Sequence, residues 1–244
     1  MARRPVSRSM RCMLLLGCAL PGLAPAQQLI RTQVESPADH AAIGSQYRDT
    51  LAQSDRYLRG GQPAEAIAVL GPVLAYCDSQ QQRQNLHFVS VSNRAQYERY
   101  LASRGDDATP VEWLDMACTR AYYGVGYALV EQERFAAALP YLDQAAALAP
   151  YFPDAINERG GALNQLHRFD EALASYRQVL ALAELEPAAA YMVPLAWRGI
   201  GYALIEKQDW DGARQAYEHS LTLDPDNPTA LSELEYIRQR APRP

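Results

Sequence analysis

The sequence predicts an all-α solenoid of antiparallel helix hairpins with one irregular helical insertion. Three stretches, residues 119–152, 153–186 and 194–227, superimpose, each keeping its internal spacing without a gap. Each repeats the same order of small, aromatic, small and large residues. The composition agrees: abundant Ala and Leu, with 4 Phe against 15 Tyr, favours helices with half-wet aromatic positions over a strand-rich core.

The first stretch runs Gly126, Phe135, Ala138, Leu142, Ala145, Pro150, and the second Gly160, Phe169, Ala172, Tyr176, Val179. The third reads Trp197, Ile200, Gly201, Trp210, Ala213, Tyr217, Ser220, Pro225. Gly126, Gly160 and Gly201, like Ala138, Ala172 and Ala213, are small where two helices must approach closely. Leu142, Tyr176 and Tyr217 then fill the gap to the next hairpin. Such a hairpin cannot bury its apolar stripe alone and needs neighbours.

This order resembles the tetratricopeptide repeat, with Trp, Leu, Gly and Tyr slots on one helix and Ala, a large aromatic and Pro on the next. The third stretch matches best. Arg159 and Glu184 depart from the pattern in the second, and Tyr122 fills the Trp slot of the first. The resemblance implies a right-handed superhelix whose concave face, lined by exposed residues of each first helix, binds a protein or peptide. By motif position that face takes Arg120, Tyr123, Tyr127, Val130 and Glu131 from the first copy. The second contributes Asp154, Asn157, Gly161, Asn164 and Gln165, and the third Leu195, Arg198, Tyr202, Ile205 and Glu206. Tyr and Arg are enriched at binding hot spots; the competing reading of Tyr123, Tyr127 and Tyr202 is packing against neighbouring helices. Chaperone-binding members of the family grip a C-terminal carboxylate with lysines and asparagines, and here Lys207 is the only lysine.

Residues 37–80 form a weaker hairpin, with Tyr57, Pro63, Ala66, Leu70, Val73 and Tyr76 in the matching slots of 47–80. Ser36-Pro37-Ala38-Asp39 reads as a helix start and Gly60-Gly61 as a stop. Pro72 and Pro140 predict a kink or early fraying in their helices. Residues 81–118 break the period. Within them Gln84–Leu101 is helical in pattern, and Thr109-Pro110-Val111-Glu112 reads as a capping box opening a helix that runs to Gln132. The surplus Pro187–Val193 lengthens the next first helix, with Pro194 kinking it. Residues 228–244 form a polar capping helix, from Asn227-Pro228 to about Gln239, and a tail.

The N-terminus predicts export. Arg3, Arg4, Arg8 and Arg11 precede an apolar run from Cys12 to Leu20, and Ala24-Pro25-Ala26 offers a cleavage point before Gln27. Residues 1–26 are then a signal peptide and 27–36 a flexible mature start. Two alternatives compete: Leu15-Leu16-Gly17-Cys18 resembles a lipobox that places lipid on Cys18, and a membrane anchor needs about 20 continuous apolar residues, more than this interrupted run offers. Losing residues 1–26 removes four of the 23 basic residues and none of the 28 acidic ones, moving the net charge from −5 to −9. That argues against a nucleic-acid partner. The mature chain keeps Cys77 and Cys118, either bonded in an oxidising compartment or two independent small apolar residues.

Catalytic signatures are missing. His40, His87, His167 and His219 lie far apart, and no HExxH, GxSxG, Walker loop or full GxGxxG occurs. The reading is a non-enzymatic, cofactor-free scaffold of the bacterial cell envelope, periplasmic or lipid-anchored. One rival is an immunity or inhibitor protein for a toxin or envelope enzyme. Another is an envelope hydrolase using His87, Glu98, Asp106, Asp107 or Glu112. The sequence leaves partner identity and oligomeric state open.

Overall fold

The computed structural model describes residues 42–241. In chain order these form α1 (Arg48–Arg59), α2 (Pro63–Gln81), β1 (His87–Ser90), α3 (Arg94–Ser103), β2 (Val111–Leu114), α4 (Met116–Glu131) and α5 (Phe135–Leu148). They continue with α6 (Pro153–Gln165), α7 (Phe169–Leu185), α8 (Val193–Glu206), α9 (Trp210–Leu223) and α10 (Pro228–Arg240). Helices α1/α2, α4/α5, α6/α7 and α8/α9 pair as hairpins. Successive hairpins stack through α2 on α4, α5 on α6 and α7 on α8, and α10 closes the stack on α9. The export signal with its Ala26–Gln27 cleavage point, Cys18, and the helix start at Ser36–Asp39 all lie outside the described residues.

The four hairpins turn in the same way. After each first helix one residue adopts a left-handed backbone: Gly61 (φ 68°), Glu133 (58°), His167 (58°) and Gln208 (62°). The next N–H reaches back five residues, from Gln62 to the Tyr57 carbonyl (2.9 Å), Arg134 to Leu129 (2.8 Å), Arg168 to Leu163 (2.9 Å) and Asp209 to Leu204 (2.9 Å). These bonds satisfy carbonyls that a helix end leaves orphaned. The weak first hairpin therefore shares the geometry of the three clear copies.

Packing follows the small-against-large pattern. A Cβ built on Gly126 would lie 2.7 Å from Leu142, one on Gly160 2.7 Å from the Tyr176 ring, and one on Gly201 2.6 Å from the Tyr217 ring. Tyr176 and Leu70 also meet the following hairpin. A Cβ on Gly199 would stand 2.2 Å from Tyr176, and one on Gly124 2.9 Å from Leu70. Leu70, Leu142, Tyr176 and Tyr217 are all buried. One apolar core runs from α1 to α9, and a smaller one, around Ile205, Tyr217 and Ile237, joins α8, α9 and α10.

Both internal prolines are tolerated: α2 continues past Pro72 and α5 past Pro140. Each proline is exposed, as are Ala68 and Ala136, whose carbonyls lose their partners. Water can replace the missing bond there. The surplus before α8 is a separate 3₁₀ turn, Pro187–Met192, and Pro194 falls in the first turn of α8, where its missing N–H is harmless.

The segment 81–118 is not the helical one its pattern suggests. Strands β1 and β2 pair in parallel, His87 opposite Val111 through Ser90 opposite Leu114, and Ile43 bridges to Leu114. Parallel strands need a crossover, and α3 supplies it. Asn93 caps α3 by accepting from the Gln96 N–H (3.0 Å), which shortens the predicted Gln84–Leu101 helix to Arg94–Ser103. The expected capping box at Thr109–Glu112 does not form. The Thr109 N–H donates to Asp107 (2.9 Å), and the Pro110 carbonyl accepts from the His87 N–H (2.9 Å), which feeds this stretch into β2. The cap of α4 is Asp115, whose carboxylate accepts from the Ala117 N–H (2.9 Å) and from Arg48 (3.0 Å). Tyr97 stacks on Trp113 at 5.1 Å, packing α3 on the strands.

Cys77 at the end of α2 and Cys118 at the start of α4 are joined by a disulfide, with Cα atoms 5.7 Å apart and 41 positions between them in sequence. It closes the loop that carries the whole βαβ insertion. In the chain-entropy account such a closure stabilises by about 4 kcal/mol. Replacing both cysteines by alanine is expected to lower the unfolding free energy by up to about 4 kcal/mol, and reductant should then no longer shift the denaturation midpoint. Gly199→Ala is expected to lose about 1–3 kcal/mol by overpacking, because the facing Tyr176 ring is buried and hydrogen-bonded; urea titration reads it.

Candidate functional site

The residues assigned to the concave face divide into two groups. Some belong to the internal framework. Asn164 is 3% exposed and donates to the Tyr176 hydroxyl (3.2 Å) and the Gly199 carbonyl (3.1 Å), bridging α6, α7 and α8. Arg198 donates to Ser220 (3.2 Å) and Asp224 (3.2 Å), holding α8 to the end of α9. Ile205 is buried in the terminal core, and Val130 packs against the main one. Asn164 is buried inside the stack, whereas the Arg198 side chain, tied to α9, keeps 19% of its surface exposed.

A second group comes together. On α4, Tyr123 meets Tyr127 at 6.0 Å between ring centroids and the Phe152 ring edge-on at 5.3 Å. Opposite, on α6, stand Asp154, Asn157 and Glu158. From the 3₁₀ turn Tyr191 donates its hydroxyl to Asp154. Glu131, at the exposed end of α4, acts on Glu158, as does Asp154. Arg120 borders the group and pairs with Asp55 of α1 at 2.7 Å. On α8, Leu195 and Glu206 are exposed and Tyr202 is half-buried. Gly161 and Gln165 are half-buried on α6.

The electrostatics are those of crowded acids, with the Arg120 cation acting on Asp154. Glu158 keeps a partial opening to solvent while protein surrounds it otherwise. Its carboxyl is pushed up to about 7, first by burial and then by repulsion from Glu131 and Asp154. Burial also raises Asp154, against the opposing pull of the Tyr191 hydroxyl and Arg120. The Tyr123 hydroxyl is pushed well above its ordinary value by burial, then by Glu158 and Asp154. The Asn157 Oδ1 is buried with no hydrogen-bond partner.

Sequence reasoning missed Glu158 and Tyr191. Glu158 was legible, since it lies one helical turn after Asp154 and therefore on the same face. Tyr191 was not, because it reaches Asp154 from an irregular turn 37 positions away. Among the described residues no group of three His, Cys, Asp or Glu is placed to hold a metal ion, and no helix is long and apolar enough to cross a membrane.

Hairpins stacked in this way, with an open face of first-helix side chains, define a helical-repeat scaffold. Two overlapping stretches, residues 123–187 and 158–228, match the family model of the tetratricopeptide repeat. Among solved structures, the chain is similar to MamA, residue 41 to the end, from Desulfovibrio magneticus RS-1. That likeness has 18% identity, TM-score 0.52, and covers 82% of this chain and 87% of that one. It is also similar to a protein of Podosopora anserina described as having nearly identical TPR-like repeats, with 16% identity, TM-score 0.53 and coverage of 82% and 88%. At these identities the likeness is one of fold. No curated protein matches the sequence.

The raised Glu158 carboxyl makes a stability prediction. A carboxyl that holds its proton more tightly folded than unfolded stabilises the fold at low pH, and the benefit is lost as pH rises from about 4.5 through about 7. Glu158→Gln should therefore match the natural protein near pH 4 and exceed it at pH 8. A shift of this size corresponds to at most about 3 kcal/mol, less the relief from the solvent opening. Thermal melts of both proteins across that range check it.

Proposed function

We propose that this chain is a non-enzymatic scaffold of the bacterial cell envelope, exported across the inner membrane, which holds a protein or peptide on the face built by α4, α6 and the Pro187–Met192 turn. The observation that carries the reading is the group Tyr123, Tyr127, Glu131, Asp154, Glu158 and Tyr191 on a tetratricopeptide-repeat array. Tyrosines supply rigid amphipathic contact area, and the carboxylates supply acceptors. Their chemistry suits binding rather than turnover, since no nucleophile stands against a base among them.

Export is supported by the basic, apolar and small-residue segments of the N-terminus, with Ala26–Gln27 as cleavage point and Cys18 as the lipidated alternative. The Cys77–Cys118 bond adds to this, since disulfides persist in oxidising compartments.

The test is capture from an envelope extract with the mature chain as bait. The double variant Tyr127→Ala, Glu131→Ala is expected to recover the main partner at least about tenfold less well, a loss of about 1.4 kcal/mol or more. Equal recovery would overturn the assignment of the face. Finding the chain in the cytoplasm with both cysteines reduced would overturn the compartment.

A further inference from the structure

We propose that oxidation of Cys77 and Cys118 is the step that completes the binding face. The closed bond fastens the βαβ insertion, and the insertion, through Gln96 and Arg99 of α3, holds in place the Pro187–Met192 turn that presents Tyr191. The proposal rests on the reading of this chain as an exported protein that binds on α4, α6 and that turn, and it names the step that sets the face.

Between the two cysteines lie the end of α2, then β1, α3 and β2, and the start of α4. The stack has other ties at this point. The Tyr122 hydroxyl donates to Asp78 and accepts from Gln81 (2.9 Å), and Gln144 of α5 donates to Gln81 (2.6 Å). Without the bond α2 therefore keeps its place on α4, and what is lost is closure of the loop. In the chain-entropy account, closing a loop of this length disfavours the disordered insertion by roughly 1,000-fold.

Helix α3 reaches the face by two routes. The first runs through Glu186, which ends one element and starts the next. Its N–H donates to the Leu182 carbonyl (2.8 Å) at the end of α7, and its carbonyl accepts from the Ala189 N–H (2.8 Å) inside the turn. Its side chain is 14% exposed and is met by Arg99 and, at 3.3 Å, by the Gln96 amide. Gln96 is itself buried, and its Oε1 accepts from the Ser92 N–H (2.9 Å), so the amide is used at both ends. An enclosed carboxylate whose partners leave must turn out to water. Here that rotation moves the residue from which the turn starts, and Tyr191 at its far end is the group that donates to Asp154. The second route runs through Tyr151. Arg99 lies over its ring at 5.7 Å, and the adjoining Phe152 meets Tyr123 edge-on at 5.3 Å.

The chemistry of the step is thiol–disulfide exchange. The two thiols give up two protons and two electrons to an oxidant of the disulfide class, which leaves as two thiols while the Cys77–Cys118 bond forms. Both cysteines are fully buried once bonded, so a thiolate has no path to either sulfur in the folded chain. Exchange therefore precedes closure of the insertion, and the face is set once, in the compartment that supplies the oxidant.

Hydrogen–deuterium exchange of the mature chain, with no partner present, tests the inference on three forms. These are the oxidised chain, the Cys77→Ala, Cys118→Ala variant, and a Gln96→Ala, Arg99→Ala variant that keeps the bond. The cysteine variant should lose at least about tenfold in protection over Arg94–Ser103 and about threefold over the Pro187–Met192 turn, with α9 and α10 unchanged. The Gln96→Ala, Arg99→Ala variant should loosen the turn to the same extent while the first turns of α4 keep their protection. In envelope capture both variants should recover the main partner at least about threefold less well than the oxidised chain.

Unchanged protection of the turn in either variant overturns the inference. A loosened turn with full recovery of the partner overturns the claim that oxidation completes the face. Exchange is read on the protein alone, so its failure is separate from that of the scaffold reading, which is decided by capture with the Tyr127→Ala, Glu131→Ala variant.

Discussion

The contact on which the rest depends is a large side chain of each second helix pressed against the bare backbone of a first helix. Tyr176 shows it most fully. Its ring fits between Gly160 of its own hairpin and Gly199 of the next, and a Cβ at either position would stand 2.7 or 2.2 Å away. Asn164 fixes the ring by donating to its hydroxyl and also binds the Gly199 carbonyl. The helices are thus drawn to one distance and one register. Leu70 against Gly124 repeats the arrangement where the insertion interrupts the sequence. Because this contact sets how each first helix stands beside the next, it also decides which side chains of α4 and α6 face one another.

The βαβ insertion leaves the stack intact. Helix α2 packs on α4 as directly as α5 packs on α6, although the whole insertion lies between them in sequence. Two ties close its base, the Cys77–Cys118 bond and the junction at Asp115, which caps α4 and binds Arg48. Its helix reaches further along the array: Arg99 lies over the Tyr151 ring at 5.7 Å and pairs with Glu186. Glu186 is the cap of the 3₁₀ turn that delivers Tyr191 to Asp154. A continuous line of contacts therefore runs from the insertion to the acidic face, and the insertion helps to position the turn that borders it.

How much of the site could be read depended on how local each signal was. Asp154, Tyr123 and Tyr127 were found because repeat position alone places them on one helix face. Asn164 and Arg198 occupy equally proper positions, yet one serves as a spacer bond to Tyr176 and the other clamps α8 to α9. Their partners belong to other helices, so no single-helix pattern separates them from surface residues. The insertion misled for a related reason. Short strands such as His87–Ser90 and Val111–Leu114 carry too few residues to display a period, and their hydrogen bonds join segments more than twenty positions apart. The cap at Asn93 was visible locally, through Gln96 three residues on.

What the sequence determined by itself is the all-α repeat, because its information is periodic and local: small residues where backbones touch, large ones where they must be filled, and turn residues between. Only the tertiary structure decided which of the periodic side chains are consumed inside the stack, that Cys77 meets Cys118, and that Glu131 and Asp154 act on Glu158. Those outcomes are set by distances between hairpins. Distance in space depends on how all the helices pack at once, and no run of residues along the chain encodes it.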